Sequence, residues 1–212
     1  MKGAAPASER ASVSVTAVSV VGMGRILYDT AASLDGFIAD ADNSLAWLFA
    51  AAGDADPDPE LLPSDAGVLV EGSTTYEWVL ATEDLLSHPE RWQQLYADKP
   101  TFVFTTRALP VPVGADVTFV AGSVAEALPQ IRAAAAGRDI WVVGGGDLAG
   151  QFFDAGALDE IAVSIAPVTL GGGAPVLPRR IESDRLTLRR ADAVGPFARL
   201  VYRVEATAGR TG

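Results

Sequence analysis

Two apolar segments of strand length run directly into glycine and then into a helix-forming stretch. They are VLVEGSTT at 68–75 and WVVGGGDL at 141–148. A buried strand that ends on glycine and opens a helix leaves backbone N–H groups uncovered, and such a turn binds phosphate through those amides and the helix dipole. One junction of this kind is equally well explained as a tight turn. Two of them predict an α/β sheet and favour a dinucleotide over a single phosphate.

Strand-length apolar segments alternate with helical segments over the first three quarters of the chain. The predicted strands are 26–32, 67–70, 101–105, 117–120, 140–143, 160–166, 186–191 and 198–204. Helices are predicted over 45–52, from 74, from 87 to about 98, over 123–136 and over 148–155. This pattern predicts a single α/β domain whose mixed, mostly parallel sheet has about eight strands flanked by helices and closes with antiparallel strands around residues 192–196.

Three helix starts carry the spacing of a capping box, in which Ser or Thr precedes Glu by three residues. The pairs are Thr74 with Glu77, Ser87 with Glu90, and Ser123 with Glu126. Pro129 lies inside the third predicted helix and indicates either a kink or a later start.

Composition excludes several classes of function. Cysteine is absent and His88 is the single histidine, so we expect no metal site, no thiol nucleophile and no zinc deaminase domain. A net charge of −11 argues against nucleic acid or an anionic membrane as partner.

With no apolar stretch of roughly 20 residues, a cytoplasmic protein is expected. Residues 1–22 are interpreted as a flexible tail and 23–208 as the domain.

Residues 54–60 are acidic and rich in proline. The spacing of Asp54, Asp56 and Asp58 is similar to that of a calcium loop, but Pro59 stands where such a loop needs glycine. A solvated acidic loop is the better interpretation.

Thr105, Thr106 and Arg107 follow another predicted strand. Ligands of open α/β sheets bind outside the carboxyl ends of the strands. Arg107 therefore either holds a phosphate as a planar fork or is a solvated surface arginine.

Six motifs in this order resemble the dihydrofolate reductase-like family, and most closely its branch named for the C-terminal reductase domain of the bifunctional riboflavin-biosynthesis deaminase–reductase. They are SLDGFIA (33–39), SLAWL (44–48), GxxTYE (72–77), TTR (105–107), VVGGG (142–146) and PVxLGGG (167–173). The resemblance covers roughly residues 24–205, and it depends on the order and spacing of the motifs rather than on any one of them.

The resemblance implies NADPH as the cofactor, and it implies three groups of cofactor-binding residues. The first group is a turn under the pyrophosphate: Gly72, Ser73, Thr74 and Thr75. The second is a loop around the adenosine ribose and its 2′-phosphate: Thr105, Thr106 and Arg107. The third is a glycine turn near the nicotinamide: Gly144, Gly145, Gly146, Asp147 and Leu148. It also implies a cis peptide between Gly144 and Gly145. Ser73 and Asp147 stand where relatives carry basic residues, so the preference for NADPH depends on Arg107.

The substrate side is expected near Asp35, the candidate catalytic residue. Asp35 either orients a polar substrate or orders the loop above the nicotinamide; an ordinary turn is the alternative. Either water or Asp35 mediates protonation of the substrate. Trp47 and Tyr76 are candidate substrate contacts, with core packing as the alternative for both. The acid that holds the pterin in dihydrofolate reductases aligns with no single residue among Asp54, Asp56, Asp58 and Glu60. Gly171–Gly173 is interpreted as structural.

These observations predict a reductase that passes hydride from NADPH to a C=N or C=O carbon of a small heterocyclic substrate similar to a pterin or a ribosylamino-pyrimidine. A non-catalytic NADP(H)-binding or sensory module on the same fold is the alternative. Relatives of this branch tend to dimerise, so a homodimer is expected.

Overall fold

The computed structural model describes residues 24–53, 62–63 and 65–206. The expected tail at 1–22 and the acidic residues Asp54, Asp56, Asp58 and Glu60 lie outside the described residues. In the described part, eight strands form one sheet in the order β5-β4-β3-β6-β1-β7-β10-β9. These strands are β1 (Ile26–Ser33), β3 (Val68–Gly72), β4 (Thr101–Phe104), β5 (Val117–Val120), β6 (Ile140–Gly144), β7 (Glu160–Ala166), β9 (Leu186–Val194) and β10 (Phe197–Val204).

The sheet is mixed and mostly parallel, as predicted. All neighbouring pairs from β5 to β7 are parallel, and β10 is antiparallel to both β7 and β9. The hairpin between β9 and β10 turns through Gly195 and Pro196, with Val194 paired to Phe197.

Five α-helices lie within the described residues, and four of them cover the two faces of the sheet. They are α1 (Ala46–Ala52), α2 (Ser73–Thr82), α3 (Glu90–Tyr96), α4 (Val124–Ala135) and α5 (Gly146–Asp154). Along β3, Val68 and Val70 pack in one core with α4 and α5, whereas Leu69 packs in a second core with α2 and α3. Because successive side chains of a strand point to opposite faces, these two cores lie on opposite sides of the sheet. None of the described helices is long and apolar enough to cross a membrane.

One of the three predicted capping boxes is confirmed and two are wrong. Ser123 and Glu126 cap α4 reciprocally, and the helix continues through Pro129, so the alternative of a later start is wrong. At α2 the N-cap is Gly72 and no side chain caps the helix; at α3 the N-cap is Pro89, again without a side-chain cap. The capping-box spacing does not by itself determine where Glu77 and Glu90 point: Glu77 contacts Arg107, and Glu90 contacts His88.

A small two-stranded antiparallel sheet was not predicted. It pairs β2 (Phe37–Ala39) with β8 (Ala174–Pro175), which are too short to show a hydrophobic period. Gly173 has φ +136 and lies so close to β2 that an added Cβ would stand 2.0 Å from the Ala39 carbonyl oxygen. The structural role expected for this glycine is therefore confirmed.

A buried ion pair joins three adjacent strands, β1, β7 and β10. The Arg199 guanidinium on β10 donates to both carboxylate oxygens of Asp29 on β1, over 2.6 and 2.5 Å, and to Ser164 Oγ on β7 over 3.1 Å. Asp29, Ser164 and Arg199 are all buried. A charge buried at this depth is stable only with its partner in place, so the pair links β1, β7 and β10.

Candidate active site

The first junction joins β3 to α2 without an intervening loop. Gly72 is the last residue of the strand and the N-cap of the helix, with φ −81 and ψ 159. The first N–H groups of a helix have no partner inside the helix, and here no side chain caps them. The first turn, which includes Ser73, Thr74 and Thr75, therefore presents amide donors and the positive end of the helix dipole.

The second junction repeats this arrangement between β6 and α5. Gly145 is the N-cap of α5 and no side chain caps it. The peptide between Gly144 and Gly145 is cis, which confirms the prediction. An added Cβ on Gly146 would stand 2.4 Å from the carbonyl oxygens of Pro175 and Val176, so the start of α5 lies directly against β8.

The two junctions are in contact. β3 and β6 are parallel neighbours, with Glu71 paired to Gly144. A Cβ on Gly72 would lie 3.6 Å from the nitrogen of Gly145, and a Cβ on Gly144 would lie 3.1 Å from Thr75 Oγ1. The parallel pairing of β3 and β6 thus places two uncapped helix N-termini beside one another. Such a pair can bind two linked phosphates from both sides.

The predicted ribose loop lies one strand further out, after β4. The Arg107 amide donates to Thr105 Oγ1 over 3.0 Å, which folds the loop into a turn. The Arg107 side chain donates to both oxygens of Glu77 on α2, over 3.0 and 2.5 Å. The loop therefore adjoins the first junction, as its place in the sheet requires, and Glu77 is a site residue that we did not predict.

On the other side of the second junction lies the loop that carries Asp35. Ile38 of β2 approaches Gly145: a Cβ there would lie 3.9 Å from Ile38 Cδ1. The strand order β4-β3-β6-β1 thus aligns the ribose loop, the two junctions and the Asp35 loop along one edge. At about 4.8 Å between neighbouring strands, this edge spans about 14 Å.

Asp35 holds the glycine-rich loop that precedes β8. Its carboxylate accepts hydrogen bonds from Ser33 Oγ over 2.6 Å, from the Gly171 amide over 2.7 Å and from the Leu170 amide over 3.1 Å. The hydrogen bond from Ser33 and that from the Gly171 amide lower the pKa of Asp35 to about 2. A carboxylate that stays ionised is a poor proton donor near neutral pH. The structure therefore favours loop ordering among the roles considered for Asp35.

Tyr76 and Trp47 have different surroundings. Tyr76 is fully buried, its hydroxyl donates to the Pro110 carbonyl over 2.8 Å, and its ring packs edge-on against Trp92 and Phe119. This favours core packing over substrate contact for Tyr76. Trp47 on α1 is half-buried, and its buried Nε1 has no hydrogen-bond partner among the residues that the structure describes. An indole N–H in that state can donate to a ligand, so substrate contact by Trp47 stays a prediction.

Asp147 in the first turn of α5 is paired. It accepts hydrogen bonds from Gln151 over 2.9 Å and from Arg179 over 3.0 Å, and these lower its pKa. Arg179 also binds Asp154 over 2.7 Å. The negative charge expected beside the phosphates is thus offset by Arg179. No local pattern marked Arg179, because 32 residues separate it from Asp147.

Glu71 is a second group that we did not predict. It precedes Gly72, is fully buried and accepts a hydrogen bond from the Tyr96 hydroxyl over 2.8 Å, while its Oε2 has no partner within the described part of the chain. Burial raises its pKa to about 7. Among the described residues, no group of three or more His, Asp or Glu side chains is arranged to hold a metal ion.

Together, the strand order and the paired glycine junctions define an α/β protein of the dihydrofolate reductase-like fold, with its candidate site at the carboxyl edge of the sheet. The family model described as RibD C-terminal domain matches residues 25–198. The chain belongs to the RibD C-terminal domain family.

Comparison with individual proteins agrees with this assignment. The chain is 29% identical over 177 residues to uncharacterized protein YwjB of Bacillus subtilis (strain 168), a match that covers 84% of this chain and 95% of YwjB. A putative riboflavin biosynthesis protein from Shewanella sp. PV-4 has a similar structure, with a TM-score of 0.68, 25% identity and coverage of 86% of this chain and 99% of that one.

More distant structures share the fold. One is a diaminohydroxyphosphoribosylaminopyrimidine deaminase/5-amino-6-(5-phosphoribosylamino)uracil reductase from Thermotoga maritima, with a TM-score of 0.61, 15% identity and coverage of 86% of this chain and 57% of that one. Another is dihydrofolate reductase from Enterococcus faecalis complexed with NADP(H), with a TM-score of 0.53, 14% identity and coverage of 87% and 98%.

Proposed function

We propose that this protein is an NADPH-dependent reductase that transfers hydride to a C=N or C=O carbon of a small heterocyclic substrate similar to a pterin or a ribosylamino-pyrimidine. The observation that carries the proposal is the contact between two uncapped, glycine-opened helix N-termini at adjacent strand ends. Membership of the RibD C-terminal domain family supports it. So does the fold shared with a uracil reductase and with a dihydrofolate reductase complexed with NADP(H).

The residues of the site fit a dinucleotide laid along the strand edge. Amide groups in the first turns of α2 and α5 would bind the pyrophosphate, with the Thr75 hydroxyl beside Gly144. Thr105, Thr106 and Arg107 would hold the adenosine ribose and its 2′-phosphate. The nicotinamide end of the dinucleotide would lie toward β1 and the Asp35 loop. When bound, the nicotinamide supplies the hydride.

The protein itself would orient the cofactor and the substrate and would exclude water from between them. Asp35 fastens Leu170 and Gly171, so we assign to it the positioning of the loop that borders the nicotinamide end. The low pKa of Asp35 makes water the better proton source for the substrate. Trp47 is assigned to the wall of the substrate pocket. Its indole N–H has no partner among the described side chains and backbone, so it can donate to a polar substrate atom.

Gly72→Ala tests the phosphate site without disturbing the fold. The backbone of Gly72, at φ −81 and ψ 159, suits alanine, and the new Cβ would meet its nearest neighbours at 3.6 and 3.7 Å, which is ordinary contact. The methyl group would stand between the two junctions. We expect unchanged thermal stability and NADPH binding at least about tenfold weaker, equivalent to about 1.4 kcal/mol. Calorimetric titration measures the affinity.

Val113→Ala is the control, because it shortens an exposed side chain outside the two junctions, the ribose loop and the Asp35 loop, and it should leave NADPH binding unchanged. Wild-type protein that binds no NADPH, or Gly72→Ala protein that binds it normally, would contradict the proposed site. Turnover is then tested by the loss of NADPH absorbance with pterins and ribosylamino-pyrimidines. Tight binding without turnover on any of them would favour the non-catalytic module.

A further inference from the structure

The only described partner of the Arg107 side chain is the Glu77 carboxylate. Arg107 Nη1 and Nη2 each donate to one oxygen of Glu77, over 3.0 and 2.5 Å, in a two-point pair. The two side chains come from different elements, since Arg107 follows β4 and Glu77 lies in the second turn of α2. Both are about half exposed, at 54% and 41%, so the pair can open toward solvent.

This pair occupies the Nη1–Nη2 edge of the guanidinium, one of the two edges through which arginine can bind a phosphate at two points. Carboxylates and phosphates bind arginine in the same forked geometry, through two parallel N–H donors. A phosphate arriving at this loop must therefore displace Glu77 or lie beside its negative charge. A ribose hydroxyl meets no such conflict, because it is neutral and can donate a hydrogen bond to a carboxylate.

We propose that Glu77 determines cofactor specificity in this site: by holding Arg107 in a competing ion pair, its carboxylate weakens the binding of a 2′-phosphorylated nucleotide relative to its 2′-hydroxyl counterpart. The inference rests on the proposed function, which puts the ribose at this loop. Glu77 acts against the preference for NADPH, so it narrows the difference between the affinities for NADPH and NADH.

Glu77→Gln tests this directly, because glutamine keeps the size of the side chain and removes its charge. The probes are NADPH and NADH, together with 2′,5′-ADP and 5′-AMP, which carry only the adenosine end. We expect the dissociation constants of NADPH and 2′,5′-ADP to fall about fivefold, the factor for an exposed ion pair of about 1 kcal/mol. Those of NADH and 5′-AMP should stay the same or rise. Isothermal titration calorimetry measures all four.

Glu83→Gln is the matched control. Glu83 is the C-cap residue at the far end of the same helix, so it shares the helix and the charge change but not the contact with Arg107. It should leave the four dissociation constants unchanged. Arg107→Gln combined with Glu77→Gln should abolish the gain for 2′,5′-ADP, since the competition requires the guanidinium.

The outcomes separate the inference from the proposed function. If wild-type protein binds none of the four nucleotides, the proposed function is overturned and this inference with it. If the nucleotides bind but Glu77→Gln leaves the ratio of 2′,5′-ADP to 5′-AMP affinity unchanged, the inference alone is overturned. It is also overturned if the gain persists in the double variant.

Discussion

Glu71 lies one residue before the first junction. Its side chain is fully buried, and one of its carboxylate oxygens has no partner in residues 24–53, 62–63 and 65–206. Because burial raises its pKa from 4.5 to about 7, the folded protein binds a proton there more tightly than the unfolded chain does. Its contribution to stability is therefore complete below pH 4.5 and is lost as the pH rises toward 7.

We expect the free energy of unfolding to fall by roughly 2–3 kcal/mol between pH 5 and pH 7 because of this group. Glu71→Gln removes the titration, so its urea denaturation midpoint should vary less with pH over that range, and Glu83→Gln should follow the wild type. Equal pH slopes in the wild type and Glu71→Gln would show that Glu71 is already ionised in the fold.

Asp35 has the opposite shift. Its pKa is lowered from 3.8 to about 2, so its stabilising hydrogen bonds are intact above pH 3.8 and disappear as the pH falls through about 2. Asp35→Ala should therefore expose the Leu170 and Gly171 amides to solvent at neutral pH. We expect their hydrogen exchange to accelerate by at least about tenfold, because each amide loses the acceptor that protects it.

The control for Asp35 is Asp42→Ala, a substitution on the exposed turn that follows β2. It should leave exchange at Leu170 and Gly171 unchanged. Unchanged exchange at these two amides in Asp35→Ala would mean that the loop keeps its place without the carboxylate, and the positioning role would be lost.

At the scale of elements, α5 and β8 are joined at Gly146. An added Cβ would stand 2.4 Å from the Val176 carbonyl oxygen, which also accepts a hydrogen bond from the buried Tyr28 hydroxyl over 2.7 Å. A backbone carbonyl held in this way cannot move aside as the end of a flexible side chain would. Helix propensity favours alanine over glycine by up to about 1 kcal/mol, but the clash opposes it.

Gly146→Ala is therefore expected to destabilise the protein, by about 1–3 kcal/mol as for other overpacked sites. Chemical denaturation gives the change, and Gly72→Ala, which adds a methyl group at the N-cap of α2 without a clash, is the comparison. A rise in stability for Gly146→Ala would show that propensity outweighs packing at this junction.

At the scale of the whole molecule, β9 lies at the edge of the sheet. Its nine residues are exposed except at the two ends, and Leu188 is 51% exposed. Long exposed edge strands are ready to pair with another chain. We propose that two copies of this protein associate through β9 and its hairpin with β10.

Light scattering should then give twice the monomer mass of 22.0 kDa. Leu188→Glu should shift the mass toward the monomer, because it places a charge on the proposed contact surface. Val113→Glu changes an exposed valine remote from this strand in sequence and should leave the dimer intact. A wild-type protein that is monomeric at high concentration would contradict the proposal.

The sequence by itself determined the features that depend on local order. Apolar runs located the eight strands of the main sheet, and glycine between a strand and a helix marked both junctions, because backbone amides left uncovered by side chains suit a phosphate-binding turn. Parallel strands with helical crossovers put their carboxyl ends on one edge, so the neighbourhood of Gly72 and Gly144 followed. The cis peptide came from the resemblance to known reductases rather than from the pattern.

Only the tertiary structure decided which charged and polar side chains meet. Glu77 has the spacing of a capping residue, yet it lies beside Arg107, whose cation attracts it more strongly than a neutral amide does. Asp29 finds Arg199 across 170 residues, and Asp35 finds the amides of a loop 135 residues away. Hydrophobic period and turn chemistry act over a few residues. Ion pairs and buried carboxyls depend instead on distances in space, which the folded sheet alone sets.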